Sequence, residues 1–275
     1  MTPMDKTKQD RLLREGSAPS CYRFARAHAD ADIPALQARV LAVGTGEDCL
    51  LFARYVKGAD IKALQRRVTE IGNAYDCCWF AAHIPGADVK ILQDRVLATG
   101  NGTACVLFAS TPGADIAVLQ DWVLKHGDIE TCCRFARDVP EADVQALQAR
   151  ILETGKGYAC VLFARDIKGA DIRALEKRIL EIGEGLDCCE FAARVPGADR
   201  EALQARVLEI GTGTHCRWFA THIQGADIPA LQTRVLEIGR PEDCLLFARD
   251  VRGADQEALR ARTEESQDEM SVLTH

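Results

Sequence analysis

Thiols are the side chains of this chain best able to do chemistry, and they come at a fixed spacing. Nine of the twelve cysteines, Cys21, Cys49, Cys77, Cys105, Cys132, Cys160, Cys188, Cys216 and Cys244, each stand three residues before a phenylalanine. Those phenylalanines, Phe24, Phe52, Phe80, Phe108, Phe135, Phe163, Phe191, Phe219 and Phe247, are the only ones in the sequence. Successive members lie 28 residues apart, with one step of 27. The other three cysteines, Cys78, Cys133 and Cys189, each directly follow a member of the column. Disulfide bonding is disfavoured by this register, because packed helices lie about 8–10 Å apart and a bridge needs Cα atoms within roughly 7 Å. Metal binding has no Cys-x-x-Cys pair and no cysteine–histidine pairing at zinc spacing to rest on. Cys78, Cys133 and Cys189 lie two repeats apart, too far to share one ion, and His83 and His222 occupy one column five repeats apart. The plainest reading of the main column is a small buried apolar residue, with no metal and no cofactor expected.

Other chemistry is equally unprovided for. The sequence holds no phosphate-cradling glycine loop, no His-Glu-x-x-His and no Gly-x-Ser-x-Gly. Catalysis needs a singular constellation, and this chain repeats almost everything it has, so it is not expected to be an enzyme.

Those residues are positioned by a unit that recurs nine times. In the second copy, Cys49, Phe52, Ala53 and Val56 fall at i, i+3, i+4 and i+7, one apolar helical face. Gly58 then breaks the pattern and Asp60 is placed to cap a second helix, in which Ile61, Leu64, Val68 and Ile71 are expected to share the buried face. Gly72 ends that helix and Asn73 is placed to cap the next one. Aspartate recurs at the second cap in all nine copies, from Asp32 to Asp255. Helices of about 11 residues are marginal alone in water, so stacking must supply their stability.

The reading is therefore an all-α, right-handed α-solenoid of nine two-helix repeats preceded by a half-repeat helix. Residues 1–19 form an N-terminal capping half-repeat, because Gln9, Arg11, Leu12, Leu13 and Gly16 match Gln37, Arg39, Val40, Leu41 and Gly44. Residues 20–262 carry the nine repeats, and 263–275 form an acidic C-terminal tail.

Two columns invite a functional reading. The position two after each cysteine falls opposite the apolar face on a helical wheel, where solvent is expected, yet it reads Arg23, Leu51, Trp79, Leu107, Arg134, Leu162, Glu190, Trp218 and Leu246. Either neighbouring units cover this stripe or it is a binding strip anchored by Trp79 and Trp218. On the second helix, arginine stands three residues after the leucine in eight copies (Arg39, Arg67, Arg95, Arg150, Arg178, Arg206, Arg234 and Arg262), and glutamine follows the leucine in seven. A ladder is expected in which one repeat's glutamine meets the next repeat's arginine. The competing reading, an arginine stripe for phosphate or acidic peptide, is opposed by nearby Glu70, Glu153, Glu181, Glu209 and Glu237. Repeat four departs twice: its Ser110-Thr111-Pro112-Gly113 turn is one residue short, and Trp122 stands in the arginine column.

The unit Cys-x-x-Phe-Ala-Arg followed by Gly-Ala-Asp-Ile-x-Ala-Leu-Gln resembles short tandem helical repeats of uncharacterised bacterial and phage proteins, over residues 9–262. In architecture it is similar to HEAT-type α-solenoids, most of which bind proteins and some nucleic acid. Its units are shorter, and it lacks the two-residue hypervariable loop of TAL-effector repeats. The resemblance implies fold and not activity.

Net charge of −7 lacks the basic excess that phosphate binding demands. No run of signal-peptide length opens the chain, and no segment reaches the roughly 20 apolar residues of a membrane span. The expected protein is a cytoplasmic, non-catalytic scaffold or adaptor for a protein or peptide, with no membrane partner. Its expected contact residues are Leu51, Trp79, Leu107, Trp122, Arg134, Leu162, Trp218 and Leu246. A nucleic-acid-binding solenoid using the arginine column, with Lys6, Lys8, Arg11 and Arg14, is the first alternative. Metal storage or redox sensing through the thiols is the second.

Overall fold

The structure is a computed structural model describing residues 6–238 and 240–273, with side chains as far as 264. Its described residues are helix and turn with no strand, in a tandem array of 19 helices. The chain divides into two compact units, Met1–Ala142 and Asp143–His275. The first unit holds α1 (Lys6–Glu15), α2 (Ala18–Ala27), α3 (Ile33–Val43), α4 (Gly46–Tyr55), α5 (Ile61–Ile71), α6 (Ala74–His83), α7 (Val89–Ala98), α8 (Gly102–Phe108), α9 (Ile116–His126) and α10 (Ile129–Asp138). The second holds α11 (Val144–Glu153), α12 (Gly157–Asp166), α13 (Ile172–Ile182), α14 (Gly185–Arg194), α15 (Arg200–Ile210), α16 (Gly213–His222), α17 (Ile228–Ile238), α18 (Pro241–Asp250) and α19 (Gln256–Leu273). Even-numbered helices carry the cysteine and phenylalanine columns, and odd-numbered helices carry the leucine, glutamine and arginine columns. Within each unit a helix packs on its partner in the hairpin and on the like helix of the next hairpin, as α4 does on α5 and α6.

Local chemistry sets the hairpin. After α4 the Val56 amide donates to the Phe52 carbonyl, and Gly58 turns the chain at φ 84°, a left-handed conformation open to glycine at no steric cost. Asp60 then caps α5, its carboxylate accepting the Ala63 amide at 3.1 Å. The same side-chain cap is made by all nine aspartates. Asn73 caps α6 in a reciprocal box with Asp76.

The core is the set of columns. The nine column cysteines, the nine phenylalanines, and the leucine and valine or isoleucine of the odd helices from α3 to α17 are buried. Each buried phenylalanine contributes roughly 1.5–3 kcal/mol. All twelve cysteines are free thiols. One expectation fails: Ile71 is 43 % exposed. It ends α5, where the chain turns away at Gly72.

Glutamine and arginine do not meet as expected. Each glutamine instead reads the backbone of the next hairpin's capping aspartate: Gln37 Oε1 accepts the Asp60 amide at 2.8 Å, and Gln37 Nε2 donates to the Asp60 carbonyl at 3.1 Å. Gln65 with Asp88, Gln93 with Asp115, Gln148 with Asp171, Gln204 with Asp227 and Gln232 with Asp255 repeat the pair. The physical reason is valence. The aspartate side chain and one lone pair of its carbonyl are committed to its own helix, as in Leu64 N–H to the Asp60 carbonyl, which leaves the amide and the carbonyl's second lone pair for the glutamine. In α1, Gln9 accepts the Asp32 amide at 2.9 Å, so this leading helix docks as the later odd helices do. The arginines turn to helix ends and to glutamates. Arg39 donates to the Gly16 carbonyl at 3.0 Å and Arg234 to the Glu209 carbonyl at 3.1 Å. Arg67, Arg150, Arg178, Arg206 and Arg234 each pair with the glutamate three residues on.

In repeat four the missing residue comes out of the first helix. α8 stops at Phe108 after seven residues, and Thr111 takes the buried place that Val56 holds in repeat two, its amide donating to the Phe108 carbonyl. Residues 263–273, read above as tail, continue α19. Residues 1–5 of the N-terminal cap and 274–275 of the tail lie outside the described residues.

Candidate protein-binding surface

The position two after each cysteine does not point straight into solvent. Consecutive even helices of a unit meet laterally, and residues one and five after the cysteine reach the residue six after it on the next helix. Tyr22 and Arg26 of α2 reach Tyr55 of α4, and Arg217 of α16 bonds Asp250 of α18 at 2.5 Å. Arg134 of α10 reaches back to the Thr103 hydroxyl of α8 at 3.3 Å. The stripe therefore lies along this seam, which explains why it favours large apolar side chains. Leu51, Arg134, Leu162, Trp218 and Leu246 are half-buried in it.

Trp79 and Leu107 are different. They are 50 % and 39 % exposed and stand on the neighbouring helices α6 and α8. Between them lies a cleft of about 140 Å³ lined by Cys78, Trp79, Ala82, Leu107, Ser110 and Thr111. Its far wall is the shortened end of α8, so the one-residue deletion and the exposed tryptophan belong to one feature. Trp122 does not join it. That side chain is half-buried on α9, stacked on His126 at 5.1 Å between centroids.

A pairing that the sequence held in plain view went unread: every tryptophan has a histidine four residues on. Trp79 meets His83 at 5.0 Å and Trp218 meets His222 at 4.3 Å. In all three pairs histidine Nδ1 lies 2.9–3.3 Å from the tryptophan carbonyl oxygen, which only accepts, so Nδ1 carries the proton and donates. The ring is thereby clamped over the indole, fixing its rotamer.

Also unread was the column five after the cysteine, which is exposed in all nine copies: Arg26, Arg54, Ala82, Ser110, Arg137, Arg165, Ala193, Thr221 and Arg249. This is the outward line of the even helices. Its signal was the arginine of the Phe-Ala-Arg motif. Arg137, Arg165 and Arg249 are tied to the aspartate that follows them. Asp250, held by Arg249 and then Arg217, has its carboxyl pulled down to about 2. Arg26 and Arg54 have no such neighbour. Their guanidinium carbons stand 5.5 and 5.3 Å from the centroid of the Tyr55 ring.

The thiols are poor nucleophiles. Burial pushes Cys49, Cys77, Cys105, Cys160, Cys188 and Cys216 up to about 11, with the nearby arginine opposing it at all but Cys105. Cys78 and Cys189 rise to about 12, with neighbouring cysteines adding to the effect of burial. Their Sγ–H groups point at the Ala104 and His215 carbonyls of the next even helix. Among the described residues no three histidine, cysteine, aspartate or glutamate side chains come together to hold a metal ion. No described helix is long and apolar enough to cross a membrane.

No protein-family model, curated protein or solved structure matches this chain.

Proposed function

We propose that the chain is a non-catalytic scaffold or adaptor, a right-handed solenoid of nine two-helix repeats and a leading half-repeat, that binds a protein or peptide partner. The observation that carries this is the cleft between α6 and α8, where a clamped Trp79 and Leu107 are left uncovered side by side. An exposed tryptophan on a rigid helix beside a small apolar cleft is the composition of a binding hot spot. The likeness in architecture to HEAT-type solenoids, most of which bind proteins, bears on the fold and is compatible with this reading. The nucleic-acid reading is less favoured, since the arginine column that suggested it is engaged with helix-end carbonyls and glutamates. Reduced, buried thiols fit a cytoplasmic setting.

The test is affinity capture from host lysate with the wild type beside Trp79→Ala and Leu107→Ala. Loss of a captured protein with either variant, at unchanged far-ultraviolet dichroism, is the expected result. An identical captured set from all three baits would mean that the cleft is not the interface.

A further inference from the structure

The arginines at the outward position of α2 and α4, the helices that precede this cleft, are arranged unlike their equivalents on α10, α12 and α18. On α2, Arg26 donates to the Tyr22 hydroxyl at 3.3 Å and lies over the Tyr55 ring, against which Tyr22 also packs at 6.1 Å between centroids. On α4, Arg54 lies over the same ring. Two like charges thus share one aromatic ring, and among the described residues no carboxylate stands within ion-pair reach of either. The equivalent arginines of α10, α12 and α18 are each neutralised by the next residue, an aspartate. Here the following positions are Ala27 and Tyr55. The acidic residues of α2, α4 and α6 are Glu47, Asp48 and Asp76. They sit in first turns, whereas Arg26 and Arg54 sit in last turns, roughly 10 Å away along the helix axis. Asp48 and Asp76 are already spent on the Thr45 and Asn73 amides. Stacking fixes the guanidinium planes while leaving N–H groups free, which pre-organises them for carboxylate.

We infer that the exposed face of α2, α4 and α6 takes an acidic peptide segment, its carboxylates on Arg26 and Arg54 and an apolar side chain in the cleft beside Trp79. This rests on the protein-binding reading above and names the chemistry of the partner. Charge favours a peptide over a nucleic acid: the first unit has 17 basic against 18 acidic residues, net −1. Two uncompensated cations match two side-chain carboxylates but not a phosphate backbone with one charge per nucleotide. Neighbouring helices about 10 Å apart and a chain rise of about 3.3 Å per residue put the ligand carboxylate on Arg54 roughly three to five positions from the apolar residue.

A random 12-residue peptide display library, selected on the full chain at low salt, tests this. The expected result is peptides enriched in Asp or Glu spaced three to five residues from an aromatic or large aliphatic residue. A synthetic copy of the leading peptide should bind R26E/R54E at least tenfold more weakly than wild type, and should also lose affinity to W79A. Both variants change exposed positions, and far-ultraviolet dichroism checks that they fold. Peptides that depend on Trp79 but carry no acidic bias, or acidic peptides indifferent to R26E/R54E, overturn this inference and leave the protein-binding reading standing. Recovery of no binding peptide sinks both. Polyuridylate that binds tightly and loses affinity in R26E/R54E overturns it in favour of nucleic acid.

Discussion

Neighbouring hairpins recognise one another through pairs matched in size and in hydrogen-bonding valence. The first residue of an even helix faces the third residue of the next: a Cβ added at Gly213 would lie 2.7 Å from Asp243 Cβ, and one at Gly185 would lie 2.4 Å from His215 Nδ1. Where the facing residue is Ala104, the first position tolerates Ala74. The glutamine ladder has one exception, Glu176, whose Oε1 accepts the Asp199 amide at 2.6 Å. A carboxylate cannot return the second bond that the glutamines give. Glu176→Gln should therefore stabilise the fold by about 1 kcal/mol, the net worth of one recovered hydrogen bond. Chemical denaturation reads this as a higher midpoint at unchanged slope. An unchanged or lower midpoint would mean that the ladder bond at this rung has no net value.

At the scale of the helix, the thiol column makes a statement about pH. Burial raises ten thiols in the folded state, at Cys21, Cys49, Cys77, Cys78, Cys105, Cys160, Cys188, Cys189, Cys216 and Cys244. Below the unfolded value of about 8.5 both states keep their protons and the column contributes no pH dependence. Above it the unfolded chain ionises while the folded chain does not, so the unfolded state binds fewer protons and stability falls. The fall continues until the folded thiols themselves ionise, at about 11 for Cys49, Cys77, Cys105, Cys160, Cys188 and Cys216 and about 12 for Cys78 and Cys189. The melting temperature should thus drop between pH 9 and 11. Alkylation at pH 8 should be slow in the native protein and fast in guanidinium, with the half-buried Cys133 the first to react. Rapid native labelling of Cys78 or Cys189 would contradict the geometry.

The helices themselves were legible because their determinants are local. Cysteine to phenylalanine at i+3, aspartate at the cap and glycine at the turn each act within one turn of chain, and the structure places them as the pattern requires. The seam was not. A helical wheel measures direction from a helix's own apolar face and says nothing of where its neighbours stand, so it leaves open whether the Leu51, Leu162 and Leu246 stripe is covered or is a binding strip, and adjoining helices half cover it. The partners of Gln37 and Arg39 lie 23 residues away in either direction, beyond what spacing within one repeat can show. Arg26 and Arg54 were missed because a motif repeated for stacking hides the two copies whose aspartate neighbour is gone.

For the chain as a whole, construction from like units has an energetic consequence. A helix in the first unit depends on its hairpin partner and its immediate neighbours, α4 on α5, α3, α2 and α6. Stability in such an array is a sum of intrinsic and nearest-neighbour contributions. Phe52→Ala removes a fully buried ring from α4 and should cost about 3–5 kcal/mol. The loss should not be shared evenly. Hydrogen exchange should show amides of α4 losing most protection, those of α2, α3, α5 and α6 less, and those of α8 to α10 nearly none, because local opening needs to break only adjoining interfaces. A cooperative globular core would instead lose protection by the same amount throughout the unit, since every slow amide would then exchange through one global opening. The gradient also bears on binding. If α6 loses only part of its protection, the Trp79 cleft keeps one of its walls intact, α8. Phe52→Ala should then weaken an acidic peptide on Arg54 more than it weakens an apolar probe in the cleft.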